Sequence, residues 1–193
     1  MIRFLTVLLI LFLPTLPAAA QDTQGQSALE IEEHITGLDI ENHFKHIEEL
    51  YTGKAPDMNA IQAFIEQYPL DDFVLSGTAT SNRGSQEPVA FSKTKIQFIE
   101  EEKERDYDLI DTRIRHTLTD IKYLDDKLSA EVSYTSLYQG RMKKIIPRKG
   151  LSFLDFKSLS ICTTTLKLVD GTIKGKNANC KTDIIYGEPI SAH

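Results

Sequence analysis

Only two cysteines, Cys162 and Cys180, occur in the 193 residues, and no Cys-x-x-Cys spacing joins them. That excludes a finger- or ribbon-type zinc site and a thioredoxin-like redox motif. There is no Gly-rich phosphate loop, nucleophile elbow, His-Glu-x-x-His helix or EF-hand loop, so the classes those motifs mark are excluded as well. Internal repeats, low-complexity tracts and Asn-x-Ser/Thr sequons are also absent, and the lack of sequons favours a bacterial envelope over a eukaryotic secretory route. Beyond residue 20 no apolar run is long enough for a transmembrane helix. Basic residues are the minority, 22 Lys+Arg against 28 Asp+Glu, which argues against non-specific nucleic-acid binding.

What is present begins with an export signal. Arg3 supplies the positive start, Phe4 to Leu13 form an apolar run, and Ala18-Ala19-Ala20 fits the small-residue cleavage rule. The mature chain is expected to start at Gln21. The run is too short to cross roughly 30 Å of hydrocarbon, and Pro14 and Pro17 lie at its end. No cysteine follows it to carry a lipid anchor. Export to the periplasm or beyond puts the two cysteines where a pair forms a bridge. The expected layout is a signal over 1–20, a leader and short helix over 21–38, one α+β domain over 39–187 and a tail over 188–193.

The stretch Ser158 to Tyr186 reads as a long hairpin turning at Asp170-Gly171, residues that tolerate the positive φ of a tight turn. A strict two-residue turn sets Cys162 opposite Asn179, one residue short of Cys180. A bulge at Gly175 supplies the missing residue and brings the two cysteines face to face. Leu166, Leu168, Ile173, Ala178, Ile184 and Tyr186 then share the cysteines' face. Thr163, Thr165, Lys167, Lys174, Lys176, Asn179, Lys181 and Asp183 take the other.

Upstream, Ala28 to Thr36 suits a short helix that Gly37 interrupts. Asp39 is the expected cap of a second helix with the apolar stripe Ile40, Phe44, Ile47 and Tyr51. Asp57 caps the next, with Met58, Ile61, Phe64, Ile65 and Tyr68 inward and Pro69 as its stop. Phe73 to Thr80 and Val89 to Phe91 suit a short hairpin. Ser92 is the expected cap of a helix reaching about Tyr107, with Ile96 and Ile99 on its inner side. Arg113 to Leu124 and Leu128 to Gln139 alternate as strands about a turn at Asp125-Asp126-Lys127. A basic loop, Arg141 to Lys149, leads into the final hairpin.

Helices followed by about four long antiparallel strands make an α+β fold, with N-terminal helices packed in a curved sheet. Over roughly Asp39 to Tyr186 this order resembles the nuclear-transport-factor-2-like, or cystatin-like, cone shared with ketosteroid isomerases and scytalone dehydratase. The resemblance implies a pocket between sheet and helices, and in many members a homodimer formed through the sheet. It implies no single activity, because that family spans isomerases, dehydratases, ligand binders and parts of secretion machines.

Several side chains can carry chemistry in such a cone. With the turn at 125–127, Ile114 faces Tyr138, His116 faces Ser136 and Leu118 faces Tyr134. His116 with Tyr134 or Tyr138 can transfer protons in a partly apolar pocket. Asp72 follows the second helix, where isomerases of the family carry a pocket carboxylate. His43 and His46, three apart on one helix, have zinc-ligand spacing, but a surface or boundary role is expected of them, with no metal and no cofactor. Arg141, Lys143, Lys144, Arg148 and Lys149, with Ile145 and Ile146 between them, are candidate contacts to an acidic partner or anionic lipid. The leading expectation is a non-catalytic envelope module binding a protein partner or a small apolar ligand. The alternatives are a pocket enzyme of isomerase or dehydratase type, and a membrane-surface or secretion-machinery accessory.

Overall fold

The computed structural model describes residues 33–84, 87–104, 108–146 and 150–192. The expected signal, its cleavage site and most of the leader lie outside the described residues, as do Tyr107, Arg148 and Lys149.

Helix α1 spans Gly37–Tyr51 and α2 spans Met58–Gln67. The cap of α1 is Thr36, not Asp39. Thr36 accepts the Asp39 amide, and Asp39 returns a carboxylate to the Thr36 amide at 2.9 Å. This reciprocal box satisfies two helix-end donors at once, which Asp39 as cap would not do. Gly37 therefore opens the helix instead of interrupting one, and residues 33–36 are not helical. Asp57 caps α2 as expected, accepting from the Asn59 and Ala60 amides. Ile40 and Phe44 of α1 and Ile61 and Ile65 of α2 are buried.

The strands are β1 (Pro69–Ser81), β2 (Val89–Thr94), β3 (Asp108–Tyr123), β4 (Ser129–Ile146), β5 (Gly150–Val169), β6 (Thr172–Tyr186) and β7 (Ile190–Ala192), with α3 (Lys95–Lys103) between β2 and β3. They form one sheet in the order β2-β1-β6-β5-β4-β3, with β7 pairing β5. The expected four strands are therefore the larger part of a wider sheet. It is mixed, because β1 runs parallel to β6. That pairing depends on Gly77. Its φ is +151°, and a Cβ there would lie 1.8 Å from the Cys180 carbonyl oxygen.

Three boundaries move for local reasons. β2 continues to Thr94, so Thr94 caps α3 in place of Ser92, again with a reciprocal box, here through Gln97. Ile96 consequently points outward at 66 % exposure, and Phe98 turns in against Phe73. The expected basic loop is the end of β4. Arg141 to Ile146 pair residue for residue with Gly150 to Asp155 of β5. Apolar Ile145 is left 76 % exposed there.

The final hairpin has the expected register. Val169 faces Thr172, Asp170 and Gly171 take positive φ, and one extra residue between Gly175 and Asn177 shifts the pairing. Cys162 then lies opposite Cys180, with Cα atoms 4.2 Å apart and the sulfurs bonded. Gly175 serves a second purpose. A Cβ there would meet the Tyr68 ring at 2.5 Å, so its missing side chain is the seat of that ring. The core lies between α1 and the sheet, where Ile35, Ile40, Phe44, Ala130, Val132, Leu166 and Leu168 pack together.

Candidate functional site

Alternation along β3, β4, β5 and β6 sends every second side chain toward the helices. The pairing of β3 with β4 places Ile114 opposite Tyr138, His116 opposite Ser136 and Leu118 opposite Tyr134. A one-residue irregularity between Leu118 and Asp120 reconciles that register with the turn. Across the next strand Ser136 meets Ser160 and Tyr134 meets Cys162.

Between this face and the helices is a cavity of about 270 Å³. Phe44, Ile47, Phe64, Ile65 and Phe98 line it from the helices, and Phe73 and Leu75 from β1. The facing strands supply His116, Tyr134, Ser136 and Ser160, with Ala178 and the Cys162–Cys180 bridge beside them. An apolar cavity of roughly 150 Å³ holds a benzene ring, so this one has room for a substituted ring. Phe64 and Tyr68 also line a second, more polar hollow of about 400 Å³ at the β5–β6 turn, with Asn42, His43, His46 and Lys174. The stacked pair Phe64–Tyr68, centroids 5.3 Å apart, is a wall common to both.

His116 is the most polar group in the cavity wall, and its side chain is only 6 % exposed. Its ring packs 5.0 Å from Phe44 and 5.7 Å from Tyr134. Behind it stands Glu48 of α1, whose Oε1 lies 3.4 Å from His116 Nδ1. The same Oε1 accepts the His116 backbone N–H, and Nδ1 itself has no hydrogen-bond partner among the described residues, so its contact with Glu48 is one of ion-pair range. Burial lowers the His116 pKa, and the Glu48 charge opposes that shift without reversing it. The imidazole is therefore neutral at pH 7. Tyr134 is pushed up to about 12 by burial, so its phenol keeps its proton.

Of the four pocket candidates, the fold brings His116 and Tyr134 together. Tyr138 sits one pair further along and packs edge-on against Tyr51 and Phe156, outside the cavity lining. Asp72 is exposed on β1 and away from the cavity, because the alternation that buries Phe73 sends Asp72 outward. The carboxylate beside His116 is instead Glu48. It lies one helical turn after Phe44, at the border of the buried stripe, and that spacing was the available signal.

The other candidates are dispersed. His43 is packed among rings, stacked on Tyr68 at 5.2 Å, while His46 is exposed and edge-on to Phe64. Among the described residues no group of three or more His, Cys, Asp or Glu is placed to hold a metal. Arg141 is bound to Asp155 at 2.7 Å, and Lys143 lies 3.6 Å from Asp108. These two cations are thus matched by acids on neighbouring strands, because they stand in a sheet and not on a loop. Among the described residues no helix is long and apolar enough to cross a membrane.

No protein-family model and no curated protein matches the chain. Solved structures do. Those similar to it include nuclear-transport-factor-2-like proteins. One, of unknown function, from Prochlorococcus, is 14% identical over 76% of this chain and 93% of its own, with a TM-score of 0.47. A conserved protein from Planctomyces limnophilus is 12% identical over 79% of this chain and 96% of its own, at 0.46. A hexachlorocyclohexane dehydrochlorinase is 12% identical over 82% and 94%, at 0.42. At such identities and scores no activity is taken from them.

Proposed function

We propose that the chain is an exported binding protein for a small, mainly apolar molecule held between its helices and its sheet. The carrying observation is the cavity of about 270 Å³, walled by aromatic and aliphatic side chains with few polar groups. Such a lining is what small-molecule sites share. The disulfide supports a location outside the reducing cytoplasm. The test is titration of the intact chain with two ring-sized probes, p-xylene and p-cresol, followed by methyl NMR. The expected result is saturable shifts confined to Ile47, Ile65 and Leu75, lost on filling the cavity with Ala178→Phe. Absence of those shifts with both probes overturns the reading.

A second reading has its own observation, the contact of Glu48 with His116. A neutral imidazole, oriented by a carboxylate and beside a protonated phenol, can take a proton from a carbon acid while Tyr134 donates to the developing oxyanion. That is chemistry of the isomerase or dehydratase type. It predicts that the chain accelerates deuterium exchange at the α-carbon of cyclohexanone in D2O, and that His116→Asn removes the acceleration. Exchange no faster than in buffer sinks it.

A further inference from the structure

The two walls of the cavity differ in chemistry. The helical side, Phe44, Ile47, Tyr51, Phe64, Ile65, Tyr68 and Phe98, is mostly hydrocarbon; its polar side-chain atoms are the phenol oxygens of Tyr51 and Tyr68, and that of Tyr68 is hydrogen-bonded to Thr164. The sheet side carries a line of them. His116 pairs with Ser136, Ser136 with Ser160, and Ser160 with Thr182, one residue from each of four adjacent strands. Because paired residues on neighbouring strands lie about 5 Å apart, the four form one row perpendicular to the strands. Ser160 and Thr182 hydroxyls are 2.9 Å apart and hydrogen-bonded to each other. The rows on either side form no such continuous line: Leu118-Tyr134-Cys162-Cys180 has one hydroxyl beside the disulfide, and Ile114-Tyr138-Ser158-Ile184 is apolar at both ends.

We infer that the cavity takes a ligand with one oxygenated edge: a ring or short hydrocarbon body against the helices, and a hydroxyl or carbonyl group laid along His116, Ser136 and Ser160. This inference rests on the binding-protein reading and specifies its ligand. Hydroxyls both donate and accept, and a neutral imidazole does so through its two nitrogens, so the row suits an uncharged hydroxyl or carbonyl. A carboxylate is disfavoured, since among the described residues no Lys or Arg lines the cavity and Glu48 stands behind the imidazole. A purely hydrocarbon ligand would bury the Ser136 hydroxyl against carbon, which is unfavourable unless that hydroxyl is otherwise bonded.

The matched probes p-cresol and p-xylene test this, since they differ by a hydroxyl in place of one methyl. With the intact chain, p-cresol is expected to bind roughly tenfold more tightly, the worth of one buried neutral hydrogen bond. In the Ser136→Ala/Ser160→Ala variant the ratio is expected to fall close to one. Should the double variant not fold, Ser136→Ala alone reads the same contrast. Equal binding of the two probes to the intact chain overturns the oxygenated-edge inference and leaves the binding reading standing. A preference for p-cresol that survives in the variants also overturns it, because the polar contact then lies elsewhere. If neither probe binds, both readings fail.

Discussion

His43 shows how one side chain can set the pH limits of this molecule. It stacks on Tyr68 and abuts Phe44 and Phe64, and its Nε2 has no hydrogen-bond partner among the described residues. Burial first, then the charges that His46 and His116 would carry, lowers its pKa to about 4. The unfolded chain takes up this proton near pH 6.5, and the folded chain resists it until near pH 4. Between those values the unfolded state binds more protons, so stability is complete above the window and is lost as pH falls through it. His116, shifted the same way, adds to the effect. Asp39 and Asp126, both lowered by hydrogen bonds, lose their contribution only further down. Lowering the pH from 7 to 4.5 is expected to remove roughly 2 kcal/mol through His43. Urea midpoints measure this loss, and His43→Phe should flatten the profile between pH 6.5 and 5. A midpoint that does not move over that range refutes the assignment. The burial of His43 was only partly legible: its place beside the apolar stripe showed, but the rings that enclose it come from α2 and could not be read from α1.

At the scale of elements, short-range signals were reliable and boundary signals less so. Asp-Gly at 170–171 and the lone Gly175 specified turn, bulge and register together, because each answers to backbone geometry that only a few residues tolerate. The caps of α1 and α3 lie a few residues from the expected Asp39 and Ser92. Asp39 and Ser92 are good capping residues in their own right, and the choice fell to Thr36 and Thr94, each with a side chain three residues on that closes the box. Helix α1 also guards the edge of the sheet. Thr52 accepts the Ile114 amide, Gly53 bridges Thr112, and Glu48 accepts the His116 amide, so part of the open edge of β3 is occupied. The bridge between Cys162 and Cys180 closes a loop of sequence separation 18 within one hairpin. Replacing both cysteines by serine is expected to lower stability by about 3 kcal/mol, with the fold retained by the remaining β5–β6 pairs. Denaturant midpoints of the variant and the oxidised chain measure this; equal midpoints would show the bridge to be idle.

For the whole molecule, the outer face of the sheet is less polar than a Thr- and Lys-rich hairpin suggests. Leu159, Ile161 and Ile185 are exposed there, Ile161 at 61 %. They alternate with the residues that line the cavity, so the pattern that builds the pocket also places them outside. If copies of the chain pair through the sheet, as its resemblance implied, this is the apolar part of the contact. Ile161→Asp is then expected to leave the melting profile near that of the parent and to shift sedimentation from dimer to monomer. A parent that sediments as a monomer at all concentrations tested removes the dimer. The expected contact through the basic residues has less to support it, because Arg141 and Lys143 face acids across the sheet.

Periodicity, turn chemistry and cysteine count determined the local matters: α+β order, the register of both long hairpins, the disulfide, and His116 and Tyr134 on one inward face. Each depends on residues near in sequence or joined by a tight turn, where backbone sterics leave few options. Only the tertiary structure decided that β1 lies parallel to β6 against Gly77, that β4 runs on through the basic stretch, that Glu48 and not Asp72 stands by His116, and that a hollow remains. Those outcomes depend on how distant segments fill shared space, and no single stretch of chain carries that information.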